Sequence, residues 1–139
     1  MKITKTIIVS FLFFIPFVNS CSSDSEGSSE RQESKESDLL SDIQKAVDNY
    51  FSVKDENEFL RSTFTGDYNE VYFGHVYEFV ITKKTDSGGE FNYLVQVTYD
   101  ESTKSINVVH QDFFALSTAE NVDEWVDKRK KLNEAKKVE

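Results

Sequence analysis

Four side chains in this 139-residue chain have reactive chemistry and a suggestive position: Cys21, the only cysteine, His75 and His110, the only histidines, and Asp112, two residues beyond His110. A thiolate is a nucleophile and a metal ligand, and an imidazole moves protons near neutral pH. In the stretch SINVVHQDFF, His110 and Asp112 are spaced to share one face of a strand, where a carboxylate can orient an imidazole for general acid–base work. His75 falls between Phe73 and Tyr77 on an apolar strand face, from which it could line the same cavity as His110 and Asp112. The structural alternatives are a hydrogen-bonded histidine near the core or at a bulge for His75, and a solvated strand residue for His110. Two histidines and scattered carboxylates lack the spacing of a zinc site, and neither a glycine-rich phosphate loop nor a serine elbow is present. No cofactor and no metal are therefore expected.

The surroundings of Cys21 are more specific. The chain begins MKITKTIIVSFLFFIPFVNSC, with Lys2 and Lys5 ahead of an apolar run from Ile7 to Val18. A helix needs roughly 20 apolar residues to cross a bilayer core, so this shorter run reads as a secretory signal over residues 1–20. Its ending, Val18-Asn19-Ser20-Cys21, resembles the lipobox of bacterial lipoproteins: an aliphatic residue, a small residue before the cut and an obligatory Cys after it. The match departs mildly, with Val for the commoner Leu and a bulky Asn19. The resemblance implies that Cys21 becomes the first mature residue and carries diacylglycerol on its sulfur, with an acylated amino terminus, and that palmitate is incorporated. It also implies a lipid-anchored protein of the bacterial cell envelope, in the outer membrane where sorting is of the enteric Gram-negative type. Lipidation accounts for both the count and the position of the cysteine.

Behind Cys21 the composition turns over completely. Residues 21–36, CSSDSEGSSERQESKE, hold six serines and five acids but no aliphatic or aromatic side chain. Such a stretch has too little apolar surface to offset its ordering entropy and is expected as a disordered tether. The chain carries −9 at neutral pH, and loss of the two signal lysines leaves −11. That sign repels phosphate, which argues against nucleic acid and against docking on anionic lipid, leaving the membrane contact to the lipid on Cys21.

Positioning falls to residues 37–139, a length suited to one core. In SDLLSDIQKAVDNYF the apolar residues Leu39, Leu40, Ile43, Val47, Tyr50 and Phe51 recur at helical spacing behind Ser37 as N-cap. Asp55–Phe64 is readable as a short helix burying Phe59, Leu60 and Phe64. From Tyr68 to Lys83 the period becomes two and predicts one long strand with a bulge or bend at Gly74, followed by a TDSGGE turn. One face holds Val71, Phe73, His75, Tyr77, Phe79 and Ile81; Tyr72, Val76, Glu78 and Val80 lie on the other, which a helix carrying Trp125 and Val126 could cover. FNYLVQVTY and SINVVHQDFF predict two further strands, with Gln96 facing solvent, and STAENVDEWVDKRKKLNEAKKVE a closing helix with Ser117 and Glu120 as a capping box.

The expected fold is α+β: an N-terminal helix packed on a curved antiparallel sheet, a meander of three strands or more, with an added C-terminal helix. This order resembles the cystatin-like and nuclear-transport-factor-like cone folds, through AVDNYF, VKDENEF, VYEFVITKK and FNYLVQVTY. The cystatin likeness raises protease inhibition, but Gln96-Val97-Thr98-Tyr99-Asp100 lacks the Val and Gly of the inhibitory Gln-x-Val-x-Gly hairpin. Cone folds of the second kind often hold an acid–base pocket. Two functions are thereby expected for test: a noncatalytic, lipid-anchored envelope module binding an envelope protein or small ligand, or a pocket enzyme using His110 and Asp112 or His75.

Overall fold

The computed structural model describes residues 15–137, with side chains from residue 31 onward. The signal over residues 1–20 lies largely outside the described residues, as does the Cys21 side chain. Helix α1 spans Ile15–Lys54, and the chain divides into two units between Leu40 and Ser41. The first unit holds the N-terminal part of α1. Here the helix starts well before the Ser37 cap that periodicity predicts, and its backbone takes in residues 21–36, the stretch expected as a tether. Glu, Gln, Arg and Lys lose little side-chain freedom in a helix, and no proline interrupts the segment after Pro16.

The second unit contains the rest of α1, four strands and a C-terminal helix: β1 Phe59–Glu70, β2 Gly74–Lys84, β3 Glu90–Asp100, β4 Ser105–Asp112 and α2 Val122–Lys136. The strands form an open antiparallel sheet in the order β1-β2-β3-β4. This is the α+β arrangement expected from the sequence, with one strand more than the minimal meander.

Two predicted elements are corrected. Asp55–Phe64 is not a helix: it makes a turn at residues 55–58 and then opens β1, where Ser62 and Phe64 pair with Ile81 and Phe79. The alternation Phe59, Arg61, Thr63 with Leu60, Ser62, Phe64 suits a pleated surface that covers both sides, and tertiary pairing decides between the two periods. The predicted strand from Tyr68 to Lys83 is instead a hairpin. Val71, Tyr72 and Phe73 form its tip, and Gly74, at φ +74°, takes the left-handed conformation that closes the turn.

Pairing assigns the two faces. Phe79, Ile81, Tyr93, Val95 and Val97 point to one side, where they are buried together with Ile43, Val47 and Phe51 of α1. Phe51 meets Tyr93 edge to face at 6.4 Å. On the other side Val80 and Leu94 pack with Leu116 and Val126, with Trp125 and Val122 leaning on the cluster. The C-terminal helix thus covers Val80, as anticipated, and Val76 is buried on the same strand face, whereas Tyr72 is left outside on the hairpin tip. A register shift opposite Gln96 and Val97 explains why Val108 and Val109 are adjacent apolar residues in one strand. The cap of helix α2 falls four residues later than predicted: Asn121 accepts from the backbone N–H of Asp123 and Glu124, while the Ser117 hydroxyl donates to Phe114 O in the preceding turn.

Candidate functional site

The most concentrated chemistry lies between the sheet and α2, around Glu78. Its neighbours Val76 and Val80 place it on the covered face of β2, and its side chain is fully buried. A lone buried carboxylate is very costly, so its partners decide what it is. Arg129 donates to it twice, Nε to Oε1 and Nη2 to Oε2, both at 2.7 Å. Asn133 Nδ2 donates to Oε1 at 2.8 Å and Thr65 Oγ1 to the same oxygen at 2.8 Å. Tyr68 donates its hydroxyl hydrogen to Oε2 at a longer 3.4 Å and accepts from Gln96 Nε2 at 2.7 Å.

Burial alone pushes the Glu78 carboxyl up, but hydrogen bonds from Arg129, Asn133 and Thr65, with the guanidinium charge, outweigh it and hold the group at about 2. Burial and then the Glu78 charge push the Tyr68 phenol up to about 12. The hydrogen bond to Glu78 raises Arg129, against desolvation, with the Glu78 charge adding to it. At neutral pH the set is a fixed ion pair with a neutral phenol beside it. It clamps α2 to the sheet and has no proton to exchange.

Close approach is needed for this clamp. Gly66 sits at φ +140°, and a Cβ there would lie 2.6 Å from Cβ of Asn133. The missing side chain lets Asn133 Nδ2 reach Thr65 O at 3.1 Å as well as Glu78. Asn133 Oδ1 is buried and accepts from no described residue.

None of this was assigned from the sequence, which placed Gln96 in solvent and left Glu78 without a role. Two signals were present. Glu78 interrupts an apolar strand face, and Arg129 and Asn133 follow Val126 at intervals of three and seven, on one stripe of α2.

The histidines do not share a cavity. His110 pairs with Gln96 and Asp112 with Leu94, so both lie on the α2 side, and they do share a face as their spacing requires. His110 is exposed, however, and Asp112 Oδ1 accepts the backbone N–H of Phe114 at 2.9 Å. His75 pairs with Asn69 near the hairpin tip and, by register with Tyr77 and Val97, lies on the opposite face. A His–Asp contact exists there: His75 Nε2 is 2.9 Å from Asp67 Oδ2, and Nδ1 is 3.2 Å from Asn69 Oδ1. Asp67 also takes Lys137 Nζ at 2.5 Å, and Tyr77 packs edge to face on the ring. Both ring nitrogens thus meet protein oxygens, an arrangement that anchors the ring against the β1 edge.

Two open clefts flank α1. One, of about 300 Å³, is lined by Asp48, Ser52, Leu60, Arg61 and Ser62, and the other, of about 240 Å³, by Asp42, Lys45, Tyr99 and Lys104. Neither contains His75, His110 or Asp112. In the first, the Ser62 hydroxyl donates to Asp48 Oδ1 at 2.6 Å and receives the Gln44 amide. Among the described residues no group of histidines and carboxylates could hold a metal ion, and no helix is long and apolar enough to cross a membrane.

Apolar side chains gather in the open at both ends of the sheet. At the β1–β2 tip Val71, Tyr72 and Phe73 are 93, 87 and 51% exposed. At the far end Phe113 packs on Tyr93 at 4.9 Å, Phe91 stacks on the same ring at 5.8 Å, and Phe114 next to them is 80% exposed. No protein-family model, curated relative or solved structure matches the chain.

Proposed function

We propose that this protein is a lipid-anchored component of the bacterial cell envelope, held through Cys21, whose acidic α+β unit is a noncatalytic binding module for another envelope protein. The anchoring rests on the signal and lipobox resemblance of residues 1–21. The single observation that carries the binding role is the exposed aromatic surface of Phe91, Phe113 and Phe114. Clustered, solvent-facing aromatics are unusual on a self-sufficient surface and typical of the anchors of protein interfaces.

The alternative acid–base enzyme gains nothing from the geometry. His110 and Asp112 share a face but His110 is exposed, His75 lies on the other face, none of the three lines either cleft, and the buried carboxyl of Glu78 is already occupied by Arg129.

Two measurements test the proposal. Labelled palmitate should enter the protein in a bacterial host and disappear in Cys21→Ala; undiminished labelling in that variant defeats the anchor. Capture of a native envelope protein by the lipidated chain should fall at least tenfold in Phe113→Ser/Phe114→Ser with folding unchanged by circular dichroism, and equal capture defeats the proposed surface.

A further inference from the structure

The opposite end of the sheet carries a different apolar feature. In a meander the β1–β2 and β3–β4 turns close at one end and the β2–β3 turn at the other. Glu70 pairs with Gly74 and Asp100 with Ser105, so the Val71–Phe73 tip and the turn at residues 101–104 are neighbours. Within the second unit α1 begins at that end: Asp42 Oδ2 is 3.6 Å from Lys104 Nζ. The helix finishes at the other end, where Asp55 Oδ2 is 2.6 Å from Lys83 Nζ. The chain therefore enters the second unit beside the exposed hairpin tip, and Cys21 precedes that entry point, Ser41, by 20 residues.

We infer that Val71, Tyr72 and Phe73 insert into the interfacial layer of the bilayer that holds the lipid, so that the unit docks by its entry end. This rests on the anchoring proposed above.

Size argues for a bilayer here and against a protein partner. A stable protein interface covers roughly 800 Å² on each side around anchors set into the surface, as Phe91 and Phe113 are set against Tyr93, whereas Val71–Phe73 are three consecutive residues on a protruding turn. A knob of that size suits an interfacial layer, where Tyr keeps its hydroxyl wet while its ring and the neighbouring Phe and Val are taken out of water. Tethering by the lipid removes most of the entropic cost of a weak second contact.

Charge around the tip is close to balance. Asp67 is matched by Lys137, and Asp42 by Lys45 and Lys104, while Glu70, Asp100 and Glu101 are set against the second lysine at Asp42 and Lys136, whose Nζ lies 4.3 Å from the Tyr68 ring. Such a rim gains little from an anionic surface, so the insertion rests on apolar contact and a zwitterionic bilayer suffices.

The test uses the mature lipidated protein in phosphatidylcholine vesicles. Lipidation consumes the only native cysteine, so Tyr72→Cys and, at the opposite turn, Asp86→Cys each accept a polarity-sensitive fluorophore at one site. The label at position 72 should shift to the blue and be quenched severalfold by lipids bearing a quencher near the headgroup, while the label at 86 stays water-like. Adding Val71→Ser and Phe73→Ser should return the label at 72 to water-like emission. Equal, water-like emission at both positions on vesicles that carry the protein through flotation overturns the insertion and leaves the anchor standing. Absence of acyl groups from the Cys21 peptide by mass spectrometry, with no flotation, overturns the anchor itself and the insertion with it. A label at 72 that responds only to added envelope proteins identifies a protein partner and overturns the bilayer assignment.

Discussion

The two faces of the sheet are held by unlike forces. On the α1 side, Ile43, Val47 and Phe51 meet Phe79, Ile81, Tyr93, Val95 and Val97, all at or near full burial. Non-directional apolar contact suffices there, and small changes of shape can be absorbed by repacking. On the α2 side a smaller apolar cluster surrounds a carboxylate and a guanidinium that fit in one geometry. A buried ion pair contributes little net stability over an apolar replacement, but it penalises every other seating of the helix. The contrast teaches that α1 is held by area and α2 by orientation.

The largest way to break this comparison is to orphan the carboxylate. Arg129→Met should cost about 3–5 kcal/mol in urea unfolding, since it leaves an uncompensated buried charge. Pairing it with Glu78→Met should recover most of that loss. A single variant within about 1 kcal/mol of wild type would show that the clamp carries no orientation.

Acid tests the same clamp without mutation. The Glu78 carboxyl is held at about 2, below its ordinary 4.5, so the stability it brings is complete above pH 4.5 and is lost as pH falls towards 2. A depression of that size corresponds to about 3 kcal/mol. Chemical denaturation between pH 6 and pH 2 should therefore show a steeper acid loss in wild type than in Glu78→Gln, and parallel curves would remove Glu78 as the cause.

Gly66→Ala sharpens the comparison at the point of closest approach. The new Cβ would meet Asn133 and occupy a φ of +140°, which should cost on the order of 2 kcal/mol. A loss below 0.5 kcal/mol by thermal unfolding would mean that α2 can shift away freely, contrary to an oriented clamp. On the other face Ile43→Val should cost only about 1 kcal/mol, the ordinary transfer and cavity cost of one methylene, with a normal, cooperative transition.

Local pattern carried much of this far. The 3.6 period around Ile43, Val47 and Phe51 marked α1, the alternation through Phe79 and Ile81 marked β2, and the Gly88-Gly89 turn separated it from β3. It failed where two periods competed or where a partner far along the chain decided. Phe59 to Phe64 suited either a helical turn or a strand until β2 provided its pairing. Tyr72 sits in alternation with Val76 and Val80, yet the turn between them removes it from their face. The candidate histidines were recognisable as residue types, but the side of the sheet on which each lies depends on registers that the local alternation does not contain.

By itself the sequence determined the lipobox resemblance at Cys21, the acidic balance, the α+β class and the turn between β2 and β3, because each depends on composition or on residues close together in the chain. Only the tertiary structure decided that Glu78 is a locked anion, that His75 and His110 lie on opposite faces, and that the exposed hairpin tip shares an end with the incoming chain. Each of these depends on contacts between residues far apart in sequence: Arg129 follows Glu78 by 51 positions, and Lys104 follows Asp42 by 62. Spacing within an element fixes which side chains share a face, whereas the packing of elements fixes what that face meets.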